Sequence, residues 1–183
     1  MALTHSKGMP AGTKAPAFSL PGTDGSVHSL DSFADAEALL VVFTCNHCPY
    51  ARASEGRLVA IARDYAPRVA VVAINPNDAV AYPDDAMEAM VARAESARFN
   101  FPYLRDDSQA VARAYDAACT PDPFLFDRDR RLVYHGRIDD NWKDQAAVTR
   151  QDLRRAIDAV LEGRPVGFEP VPSMGCSIKW RAG

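Results

Sequence analysis

The sequence predicts an α/β fold with a central mixed β-sheet flanked by helices. Two apolar runs, at 39–43 and 68–75, have the composition of buried central strands. Each run is followed by apolar residues at helical spacing, an alternation typical of parallel strands covered by helices. Two further apolar runs between 124 and 135 are separated by a short polar turn, which indicates an antiparallel hairpin and makes the sheet mixed.

The N-terminal half alternates strands and helices. A Thr-Asp-Gly turn between two apolar pieces predicts a hairpin at 16–28, which extends the fold at its N-terminal side. A proline at the first position is compatible with a helix over 49–65, because proline is tolerated in the first turn. The next helix is expected to reach about Arg98, and Asp84 or Asp85 can cap its start.

The C-terminal half is predicted to have shorter elements. We expect a strand at 101–104, a helix at 109–115 and the hairpin strands between 124 and 135. A last helix at about 150–162 has leucine, isoleucine and valine at helical spacing and ends at Gly163.

Length and composition predict one compact domain over residues 1–183. Of the 183 residues, 48% are hydrophobic, which is enough for a single core, and residues 163–183 are expected to form a C-terminal tail. A net charge of −3 gives no electrostatic reason to bind nucleic acid. No apolar stretch has the length of a membrane span or of a signal-peptide core, so we expect a cytoplasmic protein without membrane contact. No nucleotide or haem motif is present, and no cofactor is expected.

The candidate catalytic motif is Cys45-Asn46-His47-Cys48, which follows the first buried strand. At the start of a helix, unpaired backbone N–H groups and the helix dipole would favour a thiolate at Cys45. Cys48 is three residues further on, on the same helical face, and can close a disulfide with Cys45. In a reducing compartment, such cysteines indicate redox or metal chemistry rather than a structural disulfide.

The order of these parts resembles the thioredoxin fold and, within it, the peroxiredoxin-like redoxins. The resemblance extends over about residues 13–162, and four pieces carry it: Ala-Pro-Ala-Phe-Ser-Leu at 15–20, Phe-Thr-Cys-Asn-His-Cys-Pro-Tyr at 43–50, Thr-Pro at 120–121 and Phe-Leu-Phe-Asp at 124–127. It implies that Pro121 is cis and that the Thr120 backbone binds a substrate thiol or peptide. It also implies that His47, as in oxidising members of the thioredoxin fold, favours the thiolate and raises the potential above the roughly −270 mV of thioredoxin.

Two departures from related enzymes bear on the activity. Peroxiredoxins place a proline and a threonine seven and three residues before the peroxidatic cysteine, whereas Ala38 and Val42 stand there relative to Cys45. Thioredoxin has a buried acid on the strand before its disulfide, whereas residues 40–42 are all apolar. Ordinary peroxidase chemistry is therefore disfavoured, and water or another residue has to move protons.

We predict a thiol-disulfide oxidoreductase that uses the Cys45–Cys48 pair, with Thr120 and Pro121 binding the substrate and His47 modulating the cysteines. Its partners would be protein or small-molecule thiols and disulfides, together with an upstream thiol reductant. An antioxidant role as a peroxiredoxin-like thiol peroxidase acting through Cys45 is an alternative within the same class.

A different class of function is a metal-binding or partner-binding module on the same fold. Its ligands could be Cys45, Cys48, His47 and either Cys119 or Cys176, although a structural zinc site usually has a second ligand pair at short spacing. Cys119 is either a buried apolar side chain or a neighbour of the pair. Cys176 folds back to resolve an oxidised Cys45, pairs with Cys119 or is inert, and the sequence leaves these alternatives open.

Overall fold

The central feature of the fold is a five-stranded sheet, seen in a computed structural model that describes residues 3–182. The strands are β1 (Leu3–His5), β2 (Ser19–Pro21), β3 (Val27–Ser29), β4 (Ala38–Phe43), β5 (Val69–Asn75), β6 (Tyr103–Arg105), β7 (Cys119–Thr120), β8 (Asp122–Phe126), β9 (Leu132–His135) and β10 (Met174–Ser177). The helices are α1 (Pro49–Tyr65), α2 (Met87–Ser96), α3 (Ala110–Ala114) and α4 (Asp152–Leu161). Within the described part of the chain, no helix has both the length and the apolar character needed to cross a membrane.

The five-stranded sheet is mixed and has the strand order β6-β5-β4-β8-β9. β4 pairs in parallel with β5, and β5 pairs in parallel with β6. β8 pairs antiparallel with both β4 and β9. Every residue of β4 is buried, as expected for a central strand whose two faces are covered. The predicted fold class is confirmed.

Two smaller sheets border the central one. β2 and β3 form the antiparallel hairpin predicted for the N-terminal extension. β1, β10 and β7 form a three-stranded antiparallel sheet in which β10 is the middle strand. Residues 163–183, expected as a tail, therefore include a strand that is paired along both of its edges.

Alternate residues of β4 face two apolar cores. Leu40 and Val42 pack on one face of the sheet with buried residues of α1 and α4. Leu39, Val41 and Phe43 pack on the other face with buried residues of β2 and α3. Because both faces of β4 are held in this way, the loop that follows the strand leaves the sheet at a fixed point.

The segment before α2 differs from its prediction. Ala86 is the N-cap residue of α2, and residues Pro83–Asp85 form a separate 3₁₀ turn. The expectation that Asp84 or Asp85 caps the helix is therefore wrong. The physical reason is that tertiary hydrogen bonds engage the Asp85 carboxylate, which is fully buried.

Candidate active site

Cys45 and Cys48 lie in the loop between β4 and α1. The Thr44 N–H donates to the Ile74 carbonyl at 2.9 Å, so this loop leaves the sheet beside the end of β5. α1 begins at Pro49, and Cys48 is its N-cap residue. The expectation that Cys45 occupies the helix N-terminus is corrected, because Cys48 occupies it and Cys45 precedes the helix.

Thr120, the last residue of β7, contacts both sulfur atoms. Its hydroxyl oxygen lies 3.2 Å from Sγ of Cys45, and its carbonyl oxygen accepts a hydrogen bond from Sγ of Cys48 at 3.2 Å. The Thr120–Pro121 peptide bond is cis, as the resemblance implied. Cys45 is 2% exposed and Cys48 is fully buried. The structure therefore brings four of the predicted site residues together in one small, nearly closed space.

The two thiols are hydrogen-bonded to each other, so the singly ionised pair shares one proton. The hydrogen bond from Cys45 lowers the pKa of Cys48 against the effect of burial, and the Cys176 thiol and the N–H groups of Ala51 and Cys176 lower it further. The shared hydrogen bond and burial raise the pKa of Cys45, and the Asp85 carboxylate raises it again. The negative charge of the reduced pair therefore lies mainly on Cys48, not on Cys45 as the motif alone suggested.

Thr120 acts in the opposite direction. Its carbonyl accepts from protonated Cys48, while its hydroxyl lowers the pKa of Cys45 because it can donate to a thiolate there. Either position of the proton thus leaves hydrogen-bonding partners for both sulfur atoms. Two cysteines that exchange the roles of nucleophile and leaving group during a reaction need an arrangement of this kind.

Asp85 is a buried carboxylate next to this pair. Its Oδ1 accepts hydrogen bonds from the Asn46 backbone N–H at 2.7 Å and from Nδ2 of Asn75 at 3.1 Å. Its Oδ2 accepts from Nδ2 of Asn77 at 2.9 Å. One carboxylate oxygen lies within 4.8 Å of Sγ of Cys45. The buried carboxylate near the motif therefore belongs to the 3₁₀ turn before α2, and not to the strand before the motif.

His47, the predicted modulating residue, faces Asp85. Its Nδ1 lies 2.6 Å from Oδ2 of Asp85, and its side chain is 16% exposed. The imidazole stacks on the ring of Tyr82, with centroids 5.3 Å apart and an angle of 9° between the planes. His47 therefore directly contacts the carboxylate that lies beside Cys45.

Cys45, His47 and Asp85 are also the set of side chains in residues 3–182 that could hold a metal ion, since one ligand atom from each lies within 4.8 Å of the others. A thiolate, an imidazole and a carboxylate would suit zinc. Both carboxylate oxygens already accept amide hydrogen bonds, however, and the short contact of His47 is with the carboxylate itself. A metal ion would have to displace these contacts.

The other two cysteines differ in their surroundings. Cys119 is buried in β7, where burial raises its pKa and its thiol donates toward the Pro121 carbonyl at 3.6 Å. Cys176 lies in β10, its Cα paired with that of Thr120, and its thiol hydrogen-bonds to Cys48. Cys119 is thus placed as a buried apolar side chain, whereas Cys176 belongs to the cysteine cluster.

A mostly apolar cavity of about 400 Å³ opens beside the cis-proline. Its lining includes Tyr50, Pro121 and Trp142, and the aromatic ring centroids of Tyr50 and Trp142 are 4.1 Å apart. Arg57 and Asp139, which also line the cavity, form an ion pair at 2.8 Å. The cavity offers a substrate an apolar surface next to the loop that contacts both cysteines.

Three features of this site are missing from the sequence-based prediction. They are the burial of Asp85, the place of Trp142 in the lining of the cavity, and the position of Cys176 beside Cys48. A signal for Asp85 does exist in the sequence. Asn46 follows the first cysteine, and Asn75 and Asn77 end the second central strand, so several amide groups meet at one edge of the sheet. Amides gathered at a buried edge require an acceptor, and a nearby aspartate is the obvious one.

Known proteins similar to this chain place it in a family. The model of the family described as Redoxin matches residues 10–156. The chain belongs to the Redoxin family. A search of curated proteins found no match to this Redoxin.

Solved structures similar to this Redoxin fall into two groups. An uncharacterized conserved protein from Geobacillus kaustophilus is 46% identical, with a TM-score of 0.95, over 100% of this chain and 98% of that one. A hypothetical protein from Sinorhizobium meliloti 1021 is 50% identical, with a TM-score of 0.94, over 98% of this chain and 100% of that one. A putative thiol:disulfide interchange protein DsbE from Chlorobium tepidum is 24% identical, with a TM-score of 0.65, over 84% of this chain and 99% of that one, and shares the fold. Membership of the Redoxin family supports a general thiol redox function.

Proposed function

We propose that this Redoxin is a thiol-disulfide oxidoreductase in which Cys45 attacks the substrate and Cys48 resolves the intermediate. The observation that carries the proposal is the contact of both thiols with each other and with Thr120 of the cis-proline loop. Two thiols that already share a proton need only small movements to form a disulfide.

The first step is attack of Cys45 on one sulfur atom of a substrate disulfide. Cys45 is proposed as the attacking residue because it precedes α1 and its Sγ lies against the Thr120 hydroxyl, whereas Cys48 is the N-cap residue of α1. The Cys45 proton passes to the Cys48 thiolate as the new S–S bond forms, so the nucleophile is generated where it is used. The other substrate sulfur leaves as a thiolate.

The second step is attack of Cys48 on Cys45 in the mixed disulfide. Cys48 first loses its proton to the substrate thiolate that left in the first step, because the two thiols have similar basicity. The N–H groups of Ala51 and Cys176 then stabilise the negative charge on Cys48. The bond between Cys45 and the substrate breaks, and the second substrate sulfur leaves with its electron pair. Two electrons have then passed to the substrate, and an upstream thiol reductant restores the pair.

The substrate is proposed to lie along the Thr120–Pro121 loop, with apolar groups in the cavity beside it. Tyr50 and Trp142 line that cavity and offer aromatic surface to a protein or small-molecule disulfide. We expect Trp142→Ala to raise KM for a peptide disulfide with little change in kcat, because the ring lines the cavity and neither Cys45 nor Cys48 does.

Reduction of insulin disulfides by the purified protein, with dithiothreitol as electron donor, tests the proposal. Cys45→Ser should abolish the activity, and Cys48→Ser should accumulate mixed disulfides at Cys45. The matched control is Cys119→Ala, which removes a buried thiol outside the pair and should retain activity. Full activity in the Cys45→Ser protein would contradict the proposal.

Peroxide reduction at Cys45 is a second version of the same chemistry. The observation that favours it is the Thr120 hydroxyl, 3.2 Å from Sγ of Cys45, which can donate to a peroxide oxygen although the motif has no threonine of its own at the expected place. Hydrogen peroxide should then oxidise Cys45 much faster than it oxidises the free amino acid cysteine. Equal rates would exclude this version.

Metal binding is the candidate of a different class, favoured by the 4.8 Å cluster of Cys45, His47 and Asp85. If it is the function, reduced protein purified without chelator should carry near-stoichiometric zinc or copper. His47→Ala should remove the metal. Metal-free protein with full disulfide reductase activity would exclude this function.

A further inference from the structure

The buried sulfur atom of Cys48 has two thiol neighbours. Cys45 reaches it from the loop after β4, and Cys176 reaches it from β10 with both its thiol and its backbone N–H. Cys176 is 3% exposed and is held in register by pairing of its Cα with that of Thr120. The backbones of β7 and β10 pack closely here, because a side chain on Gly175 would collide with the Thr120 carbonyl.

We propose that Cys176 is a third redox thiol, which exchanges with the Cys45–Cys48 disulfide to form a Cys48–Cys176 disulfide inside the protein. This inference rests on the proposed function, since it takes the Cys45–Cys48 disulfide as its starting point. It assigns to β10 a catalytic residue outside the four-residue motif.

The exchange is balanced without an added oxidant or reductant. The Cys176 thiolate attacks Sγ of Cys48, the Cys48–Cys176 bond forms and the Cys45–Cys48 bond breaks. Cys45 leaves with the electron pair and takes up the proton that Cys176 has lost. One disulfide and one thiol are present before and after the step.

Oxidation of the pair makes Cys176 more reactive. In the reduced protein, burial and the neighbouring Cys48 raise the pKa of Cys176 to about 12, while Lys179 lowers it. When Cys48 is bound to Cys45 it carries no charge, so its contribution to this rise is lost and the pKa of Cys176 falls. Burial still raises the pKa of Cys176, but the third thiol is a stronger nucleophile when the pair is oxidised than when it is reduced.

The exchange changes what an external reductant can reach. Cys45 is 2% exposed and Cys176 is 3% exposed, so both disulfides would be largely enclosed. After the exchange Cys45 is a thiol again, and its attack on Cys48 would restore the original disulfide. An external thiol that reacts at Cys45 therefore finds a free thiol there in place of a disulfide sulfur.

Disulfide mapping of the full chain in Cys45→Ser tests the geometry, because the primary disulfide cannot form there. The protein is oxidised with a glutathione buffer, quenched with acid, alkylated and mapped by mass spectrometry. We expect an intramolecular Cys48–Cys176 disulfide, and its complete loss in Cys45→Ser/Cys176→Ser. Cys119→Ala in the Cys45→Ser background is the matched control and should keep it. If Cys45→Ser yields only mixed disulfides with glutathione, the proposal is overturned.

Alkylation of the wild-type protein after two-electron oxidation tests the exchange itself. A fraction of Cys45 should remain available to the alkylating reagent, and Cys176→Ser should remove that fraction because Cys45 is then always in the primary disulfide. Cys176→Ser keeps a hydroxyl donor beside Cys48 and so tests the sulfur rather than the hydrogen bond. Equal protection of Cys45 in both proteins would overturn the exchange. Failure of the proposed function is a separate result, namely insulin reduction that survives Cys45→Ser.

Discussion

Two buried histidine–aspartate pairs lie in different parts of this Redoxin. His135 and Asp122 face each other across the β8–β9 hairpin, with Nε2 2.7 Å from Oδ1. His47 and Asp85 come from two segments outside the sheet, with Nδ1 2.6 Å from Oδ2. Both aspartates are fully buried, so burial alone does not distinguish the two pairs.

The neighbours of the two pairs differ. Asp122 also accepts the Ala118 N–H at 3.0 Å, and His135 stacks on Phe124 with ring centroids 3.9 Å apart, so this pair connects the hairpin to the segment before the cis-proline loop. Asp85 instead lies within 4.8 Å of Sγ of Cys45. Each carboxylate raises the pKa of a nearby thiol, Cys119 for Asp122 and Cys45 for Asp85. The two pairs differ because Asp122 joins two strands and a neighbouring segment, whereas Asp85 acts on a cysteine of the Cys45–Cys48 motif.

The largest expected effect is on stability, from Asp122→Ala. Two partly buried donors, on His135 and Ala118, would lose their fully buried acceptor, and each unsatisfied group costs about 1–3 kcal/mol. We expect the free energy of unfolding, measured in urea, to fall by about 2–5 kcal/mol. Asp129→Ala, at an exposed position of the neighbouring turn, is the control and should stay within about 0.5 kcal/mol of wild type. If the free energy of unfolding falls by a similarly small amount in Asp122→Ala, the pair of His135 and Asp122 does not have the structural role assigned to it.

The second largest expected effect is on the pKa of the Cys45 thiol, and the change that tests it is Asp85→Asn. The substitution keeps the shape and costs about 1–3 kcal/mol through the amide donors that lose a charged acceptor. Because the carboxylate raises the pKa of Cys45, its removal should lower that pKa and speed alkylation of Cys45 at neutral pH.

Rates of iodoacetamide alkylation against pH, measured in a Cys48→Ser background, isolate this effect from the coupled partner. Asp122→Asn in the same background should leave the Cys45 profile where it was, since Asp122 belongs to the structural pair. If the pH profile of Cys45 alkylation does not shift in Asp85→Asn, or shifts equally in both variants, the two aspartates do not differ in their effect on Cys45.

A third effect concerns the pH dependence of stability in the reduced protein. The folded state lowers the pKa of Cys48 below its ordinary value of 9.0, so below that value the folded protein binds fewer protons than the unfolded chain. This contribution to stability therefore grows as the pH rises toward 9.0 and is lost as the pH falls through the lowered pKa.

Unfolding of wild type and Cys48→Ser at pH 5 and pH 8 measures this contribution. The wild-type advantage should be larger at pH 8 by at least the roughly 1.4 kcal/mol that one pKa unit represents. Cys119→Ser, at a buried thiol outside the pair, should show no such growth. An advantage that shrinks with rising pH would place the charge on Cys45 instead.

The smallest expected effect is on the redox potential, from His47→Ala. Without the imidazole, the charge of Asp85 is less offset and disfavours the reduced, ionised pair, so the disulfide becomes less oxidising. We expect wild type above about −270 mV and a decrease of about 30 mV, a tenfold change in equilibrium constant, in the variant. His135→Ala should have the wild-type potential. A higher potential in His47→Ala would reverse the role assigned to the histidine.

The predictable part of the fold is the part with local signals. Apolar runs and helical spacing predict β4, α1 and β5. A buried strand and an amphipathic helix can each be recognised from the pattern of apolar residues in their own segment. The strand β10 has no such signal, since Met-Gly-Cys-Ser is neither alternating nor β-branched. It is a strand because β1 and β7 pair with it on both edges.

The candidate site divides in the same way. Cys45 and Cys48 are visible from their spacing after a strand, and the cis-proline loop is visible from the family resemblance. Asp85 is hidden because an aspartate just before a helix is also an ordinary capping signal, and only long-range contacts decide between the two. The proton distribution between the cysteines is hidden for a related reason, since Cys176 and Thr120 act on it from distant parts of the chain.

The contact between the tilted rings of Tyr50 and Trp142 gives the protein an intrinsic fluorescent reporter. Tyr50 belongs to the first turn of α1, two residues after Cys48, and Trp142, which lines the cavity, is 37% exposed. The other indole, Trp180, lies under the Arg113 guanidinium. Changes in intrinsic fluorescence on disulfide formation or peptide docking should therefore originate mainly from Trp142, and the sulfur chemistry can be followed in real time without a label.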